Sequence, residues 1–370
     1  MRPTVRVLAP APLVCVDLRD GCKEEKMTVH GGDKLLLGID LGTSRTAVMS
    51  DRGYKNIIRS VVGYPKDIIG IKMLGKTQIF GDEAMKRRSA LTLYHPLQDG
   101  VVSETGGGDF NAAAELIRHV VGLATEGTNA SPCGIIGVPA RASVINKELL
   151  LDIARDIMSS VMVVSEPFMV AYALGKLNNA IIVDIGGGTI DICGMKGTVP
   201  TIDDQITFLK GGDFIDDRLQ TAISQQYPET QVTMNLARMI KESYAFVGPP
   251  EEPVRVTLRA EGRPKVYDVT EVIRHVCESI VPEIIEHLAE IFRGYDPEDQ
   301  PEVLQNIILA GGGSRIRGLD RMLEERFSEY GKVKVACVED ADYAGSYGAL
   351  KMAQEVAPEY WDQVGFVGSY

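Results

Sequence analysis

Apolar and polar positions along this chain follow two periods in turn. Residues 35–40, 134–138, 161–164, 181–185 and 306–310 are short apolar runs of strand type. Between and after them, residues 111–123, 147–160, 166–174 and 320–330 repeat apolar positions at helical spacing. Strands alternating with helices predict an α/β architecture. Residues 1–33 keep neither period. Pro3, Pro10 and Pro12, a charged stretch over 17–26 and Gly31-Gly32 interrupt every regular pattern there. A secretory leader is a poor fit, because Arg6 and two prolines break the apolar run and no small-x-small cleavage site follows it. The pattern predicts that residues 1–26 are a dispensable extension or a mis-assigned start, with Met27 opening a short polar tail.

Composition narrows the function classes. The chain has 370 residues and carries 39 Lys+Arg against 51 Asp+Glu, a net charge of −12. That balance argues against nucleic acid as a partner and against electrostatic adhesion to anionic lipid. No apolar run reaches the roughly 18 residues of a spanning helix, and no membrane anchor is evident. The six cysteines form no Cys-x-x-Cys pair and no His-Glu-x-x-His run occurs, so zinc has no support. Scattered thiols of this kind suit the reduced core of a cytoplasmic protein.

The chain then echoes itself. Gly38-Ile39-Asp40-Leu41-Gly42-Thr43 resembles Val183-Asp184-Ile185-Gly186-Gly187-Gly188-Thr189, Asp40 matching Asp184 and Gly42 matching Gly186. An apolar strand ending in Asp-x-Gly and feeding a second strand predicts a β-hairpin whose turn is all backbone. Two copies predict a duplicated domain with a ligand between the halves. Glycine lets successive N–H groups approach an anion closely. An Asp at each strand end would repel that anion unless a cation intervened, which points to a phosphate–Mg²⁺ ligand. A third cluster, Ala310-Gly311-Gly312-Gly313-Ser314-Arg315, lies between a strand and a helix. No Gly-x-x-x-x-Gly-Lys-Ser/Thr loop is present, which excludes a P-loop NTPase.

Together with Val164-Ser165-Glu166-Pro167, these motifs resemble the actin, sugar-kinase and heat-shock-chaperone ATPase superfamily, in order and spacing, from Lys34 to about Ala353. Phe80-Gly81-Asp82-Glu83-Ala84, Pro96-Leu97-Gln98-Asp99-Gly100-Val101-Val102 and Arg238-Met239-Ile240-Lys241-Glu242 resemble the actin branch. Val61-Val62-Gly63-Tyr64-Pro65-Lys66-Asp67, the stretch 164–170 and Tyr360-Trp361 resemble the bacterial actin-like proteins of the MamK type, which organise magnetosome chains.

The resemblance implies an actin-like ATPase fold: two duplicated ribonuclease-H-like domains, each with a small subdomain, and the nucleotide in the central cleft. Domain I would comprise 34–178 plus 343–370, with its small subdomain at about 67–92. Domain II would comprise 179–342, with its small subdomain at about 213–270. ATP and Mg²⁺ are the implied cofactors. Gly42, Thr43 and Ser44 would hold the β-phosphate, Gly186, Gly187, Gly188 and Thr189 the β- and γ-phosphates, and Asp40 and Asp184 the Mg²⁺ through water. Glu166, behind a predicted Ser165 N-cap with Pro167 in the first turn, would orient the attacking water, Asp184 assisting. Gly212, Lys241 and Glu242 would meet the ribose and base, with Gly312, Arg315 and Ile316 along the base. Without the family, Lys241 and Glu242 read as solvated helix charges, and Arg315 as an ion pair with an Asp of the neighbouring domain.

Two positions depart from actin. Ala47 stands where actins place a phosphate lysine, and Asp342 where they pack a lysine on the base; Arg45 either substitutes from the turn or faces solvent, and the choice between ATP and GTP stays open. The implied function is a cytoplasmic, cytoskeletal ATPase that polymerises with itself, disassembles after hydrolysis and positions magnetosomes, with organelle-associated adaptors as further partners. The alternative is a sugar-kinase-type phosphotransferase. A chaperone would need a substrate-binding domain after residue 357, and a membrane-tethered division protein would need basic residues in 359–370.

Overall fold

The computed structural model describes residues 34–98, 101–102, 107–357, 361 and 365–366. The expected extension over 1–33 and Tyr360 lie outside them.

The chain opens with an antiparallel meander, β1 (Lys34–Leu41), β2 (Arg45–Ser50) and β3 (Lys55–Arg59). A three-stranded sheet follows, from β4 (Val62–Pro65), β5 (Ile79–Phe80) and β6 (Leu91–Tyr94), carrying α1 (Ile68–Leu74) and α2 (Gly81–Lys86). The antiparallel pair β7 (Leu97–Gln98) and β8 (Val101–Val102) leads to α3 (Gly107–Thr125). β9 (Ser131–Val138), α4 (Val144–Arg155) and β10 (Ser160–Ser165) return to the first sheet, and α5 (Glu166–Leu174) leaves it.

A second meander, β11 (Asn178–Ile185), β12 (Ile190–Lys196) and β13 (Gln205–Phe208), repeats the pattern. After it come α6 (Gly212–Gln226), α7 (Met234–Tyr244) and the hairpin of β14 (Arg255–Ala260) and β15 (Arg263–Asp268). Then follow α8 (Thr270–Glu278), α9 (Val281–Arg293), α10 (Gln300–Val303), β16 (Ile307–Ala310), α11 (Leu319–Arg326), β17 (Val335–Cys337), α12 (Ala344–Glu355) and β18 (Gly365–Phe366). The sheet orders are β3-β2-β1-β9-β10-β18 and β13-β12-β11-β16-β17. In each, two antiparallel pairings are followed by parallel ones, so the duplication in sequence is also one of topology.

Period-2 alternation explains how the sheets share a core. Leu35, Leu37 and Ile39 face α3 and α4, whereas Leu36 faces the other way. Ile181, Val183 and Ile185 face α6 to α9, whereas Ala180 and Ile182 turn back. The inward residues of both sheets meet α5 and α12 in one central cluster. Helix α12 lies so close to β1 that a methyl group on Gly38 would overlap the backbone of Ser346 and Leu350. Likewise a methyl on Gly348 would overlap the Met169 carbonyl of α5. Both connecting helices are therefore fixed against the strands that carry the Asp-x-Gly motifs.

Helix limits differ from the periodic pattern in α3, which spans Gly107–Thr125 rather than 111–123, in α4 and in α11. α4 ends at Arg155 rather than at 160, because Met158 N–H closes back on Ala154 O at 2.8 Å and Ser159 N–H donates to Pro132 O at 2.8 Å, turning the chain into β10. The helix expected over 320–330 is α11 to Arg326, followed by a 3₁₀ turn over Ser328–Tyr330.

Candidate functional site

Both predicted hairpins form. In the first, Asp40 pairs with Ala47 and Leu41 with Thr46, and Gly42 N–H donates to Arg45 O at 3.1 Å. In the second, Asp184 pairs with Asp191 and Ile185 with Ile190, and Gly186 N–H donates to Thr189 O at 2.9 Å. The two turns meet: a Cβ on Gly187 would stand 2.5 Å from Ser44 Oγ. Only glycine allows that approach. The N-terminus of α6 braces the second turn, Gly212 N–H donating to Gly186 O at 2.9 Å and Asp213 N–H to Gly187 O at 2.7 Å. With those carbonyls turned toward α6, the N–H groups of Gly187 and Gly188 donate to no described residue, which leaves anion-binding donors at the junction of the hairpins.

Four carboxylates lie beneath. Asp40 sits on β1, one residue before its end, Asp184 on β11, Asp191 on β12, and Glu166 opens α5. Burial pushes the Asp40 carboxyl up to about 6. Glu166 is held well above the usual carboxylate range, by burial first and then by repulsion from Asp40, Asp191 and Asp184. Burial and repulsion from Asp40 and Asp191 do the same to Asp184. No lysine or arginine among the described residues pairs with any of the four. The Glu166 Oε1 atom is buried without a hydrogen-bond partner. Such a group requires protons or a cation from outside.

Glycines crowd these acids. A methyl on Gly345 of α12 would overlap Asp40 Oδ2, and one on Gly311 would overlap Asp184 Oδ1. Gly311 also holds φ +69°, a backbone region that favours glycine. Ser165 occupies the N-cap of α5 as expected, with Pro167 in the first turn, yet its hydroxyl makes no capping bond.

Asp191 was not anticipated. It is 1% exposed and accepts from Ala140 N–H at 2.8 Å, Thr189 Oγ1 at 2.9 Å and Thr207 Oγ1 at 2.5 Å, tying the second hairpin to the loop after β9. The hairpin register held the signal, since Asp191 follows Asp184 by the spacing that separates Ala47 from Asp40.

The remaining expected residues divide. Lys241 donates to Gly212 O at 2.7 Å and pairs at 2.8 Å with Asp216, which is fully buried and also accepts from Arg238 Nε at 2.9 Å. Glu242 is paired with Arg45 at 3.0 Å, and Arg315 with Asp342 at 2.5 Å. A Cβ on Gly312 would meet open space. The Ile316 side chain is 6% exposed and packs in the core on the second sheet, directly after the Gly312–Arg315 turn. Thus Gly42–Ser44, Gly186–Thr189, Gly212, Asp40, Asp184 and Glu166 converge, Glu242, Gly312 and Arg315 form a rim, and Lys241 stands behind Gly212.

Residues 34–359 match the family described as MreB/Mbl protein. The chain is 51% identical over 335 residues to the "Actin-like protein MamK" of Paramagnetospirillum magneticum, covering 90% of this chain and 96% of that one. Its structure is similar to a solved "MamK double helical filament", with a TM-score of 0.86 and 51% identity, over 88% of this chain and 100% of that one. A second solved structure, a non-polymerising point mutant of MamK bound to AMPPNP, gives a TM-score of 0.69 at 51% identity, over 87% and 99% of the two chains.

Proposed function

Since the chain belongs to the MreB/Mbl family of actin-like proteins, we propose that it binds ATP between its two glycine hairpins, polymerises in that state and disassembles after hydrolysis. The observation that carries this reading is the quartet of carboxylates without a lysine or arginine partner, Asp184 and Asp191 buried and Asp40 and Glu166 partly so, beneath two touching backbone turns with unused N–H donors. The named relatives support it, one solved as a filament and one with an ATP analogue bound.

In this reading residues 34–178 plus 343–370 act as one domain and 179–342 as the other, each with a small subdomain. Gly42, Thr43, Ser44 and Gly186 to Thr189 hold the phosphates, with Gly212 and Glu242 toward the ribose. Lys241 acts through Gly212, whose carbonyl it holds. The acids fit Mg²⁺ chemically, since the quartet lacks a positive partner. Among the described residues no three acids, histidines or cysteines converge as a ready-made cage, so Asp40 and Asp184 would hold the ion through water. When bound, Mg²⁺ neutralises phosphate charge and so eases attack at phosphorus.

The chain's own groups do the rest. Turn N–H groups fix the phosphates in place. Glu166 accepts a hydrogen bond from the attacking water in this reading, which its unpartnered Oε1 supports. Asp191, saturated by three donors, holds the loop after β9 to the second hairpin. Self-association is head-to-tail, which produces an open filament when the rotation does not close. By the same resemblance the filament lies in the cytoplasm, and magnetosome positioning is its cellular role.

The experiment follows phosphate release and pelleting together in the wild type and in Asp184→Ala. Wild-type turnover coupled to assembly, with turnover lost and polymer persisting in the variant, is the expected result. Normal turnover and disassembly in the variant would remove Asp184 from the site. Turnover that needs a sugar acceptor and yields no polymer would favour the phosphotransferase instead.

A further inference from the structure

Arg45 opens β2 directly after the first glycine turn, yet its guanidinium leaves its own sheet. Its Nη2 lies 3.0 Å from Glu242 Oε1 on α7, and its Nη1 lies 3.6 Å from Asp342 Oδ1, just before α12. The other oxygen of Asp342 accepts from Arg315 Nη2 at 2.5 Å. Glu242, Arg45, Asp342 and Arg315 thus form one chain of alternating charge. It runs from the ribose side of the cleft, past the first phosphate turn, to the Gly312–Arg315 turn. Arg45 alone of the four belongs to the first sheet, so within this chain of charges it is the member that joins the halves, beside the nearby Lys55–Asp340 pair at 2.8 Å. Asp342 is the least exposed member, its side chain at 24% against 42% for Arg45 and Glu242 and 54% for Arg315. A carboxylate stands where a base-packing lysine would be expected because two guanidiniums share it.

We propose that Arg45 is a nucleotide-positioning residue: its pairs with Glu242 and Asp342 bolt the base side of the cleft, and they must part before a nucleoside diphosphate leaves. This rests on the nucleotide reading above. It assigns to Arg45 the residence time of the nucleotide and not the chemical step, since its guanidinium is committed to two carboxylates at the rim. Because the pairs are partly exposed, salt should screen them.

The test uses the full chain, at concentrations where nothing pellets, loaded with radiolabelled ADP and chased with unlabelled ATP. Arg45→Ala should release ADP about 3- to 10-fold faster, the scale of one or two half-exposed ion pairs. Asp342→Asn should quicken release in the same direction, and Arg45→Lys, which keeps the charge, should fall between wild type and Arg45→Ala. Raising the salt should speed release from the wild type and leave Arg45→Ala unchanged. Wild-type release from Arg45→Ala overturns the proposal, as does a salt response that survives the substitution undiminished. A wild-type chain that retains no ADP sinks the nucleotide reading itself, a result distinct from unchanged release in the variant.

Discussion

Glu166→Gln should lower activity and raise stability at once, and both signs follow from the same buried atom. Glu166 Oε1 has no hydrogen-bond partner, and burial with three neighbouring carboxylates disfavours its charge. Glutamine keeps the shape, removes the charge and adds two N–H donors among acceptors. Relieving an unsatisfied buried acceptor is worth about 1–3 kcal/mol, so the nucleotide-free variant should resist urea better by about that amount at pH 8 in EDTA. The amide, however, is a far weaker base toward water. Loss of a general base typically costs about 10²–10⁴-fold, or roughly 2.7–5.4 kcal/mol on the barrier. Single-turnover phosphate release with Mg²⁺ and ATP reads the second effect, while equilibrium binding of a non-hydrolysable analogue should change little. Phosphate release at the wild-type rate would refute the role given to Glu166. A less stable variant would refute the claim that its charge is unpaired.

Further outcomes follow from the packing and the charges. At pH 7–8 without nucleotide, Asp40→Asn should be more stable than wild type by at most about 3 kcal/mol, the cost of ionising a carboxyl that burial holds at about 6 rather than 3.8. A raised carboxyl destabilises above its folded value, so the gap should close as pH falls through about 6 toward 3.8; a gap that widens on acidification in urea melts would contradict this. Gly348→Ala places a methyl against the Met169 carbonyl and should destabilise by about 1–3 kcal/mol despite the better helix propensity of alanine, so an equally stable variant would deny the tight crossing of α5 and α12. Lys241→Met strands half of a buried ion pair, Asp216 keeping only Arg238. It should cost about 3 kcal/mol even without nucleotide, whereas a residue serving the ribose alone would leave that urea midpoint unmoved.

How far the chain was legible depended on the range of the interaction. Continuous apolar runs marked β1 and β11 because both faces of each strand are buried, Leu36 against one core and Leu35 and Leu37 against another. The two Asp-x-Gly hairpins were legible because turn geometry is local. α4 was drawn too long because Ile157 and Met158 continue its apolar period, and only the pairing of Ser159 with Pro132, a neighbour in space, ends it. Its start was drawn late because Ser143 accepts from Asn146 N–H at 3.1 Å, a cap the apolar period does not reveal. The partners of Arg45 and Lys241 could not be read from one sequence. Arg45 and Glu242 are 197 positions apart, and an exposed charge gives no local sign of where it will be neutralised.

Nucleotide held between the hairpins should be what drives assembly. Pelleting with negative-stain microscopy reads this on the full chain under three conditions: Mg²⁺ with ATP, Mg²⁺ with ADP, and EDTA without nucleotide. Filaments should form with ATP and be lost as phosphate is released, with little polymer in the other two. Equal polymer under all three conditions, or none with ATP while ATP is still hydrolysed, would contradict the coupling of the site to the filament.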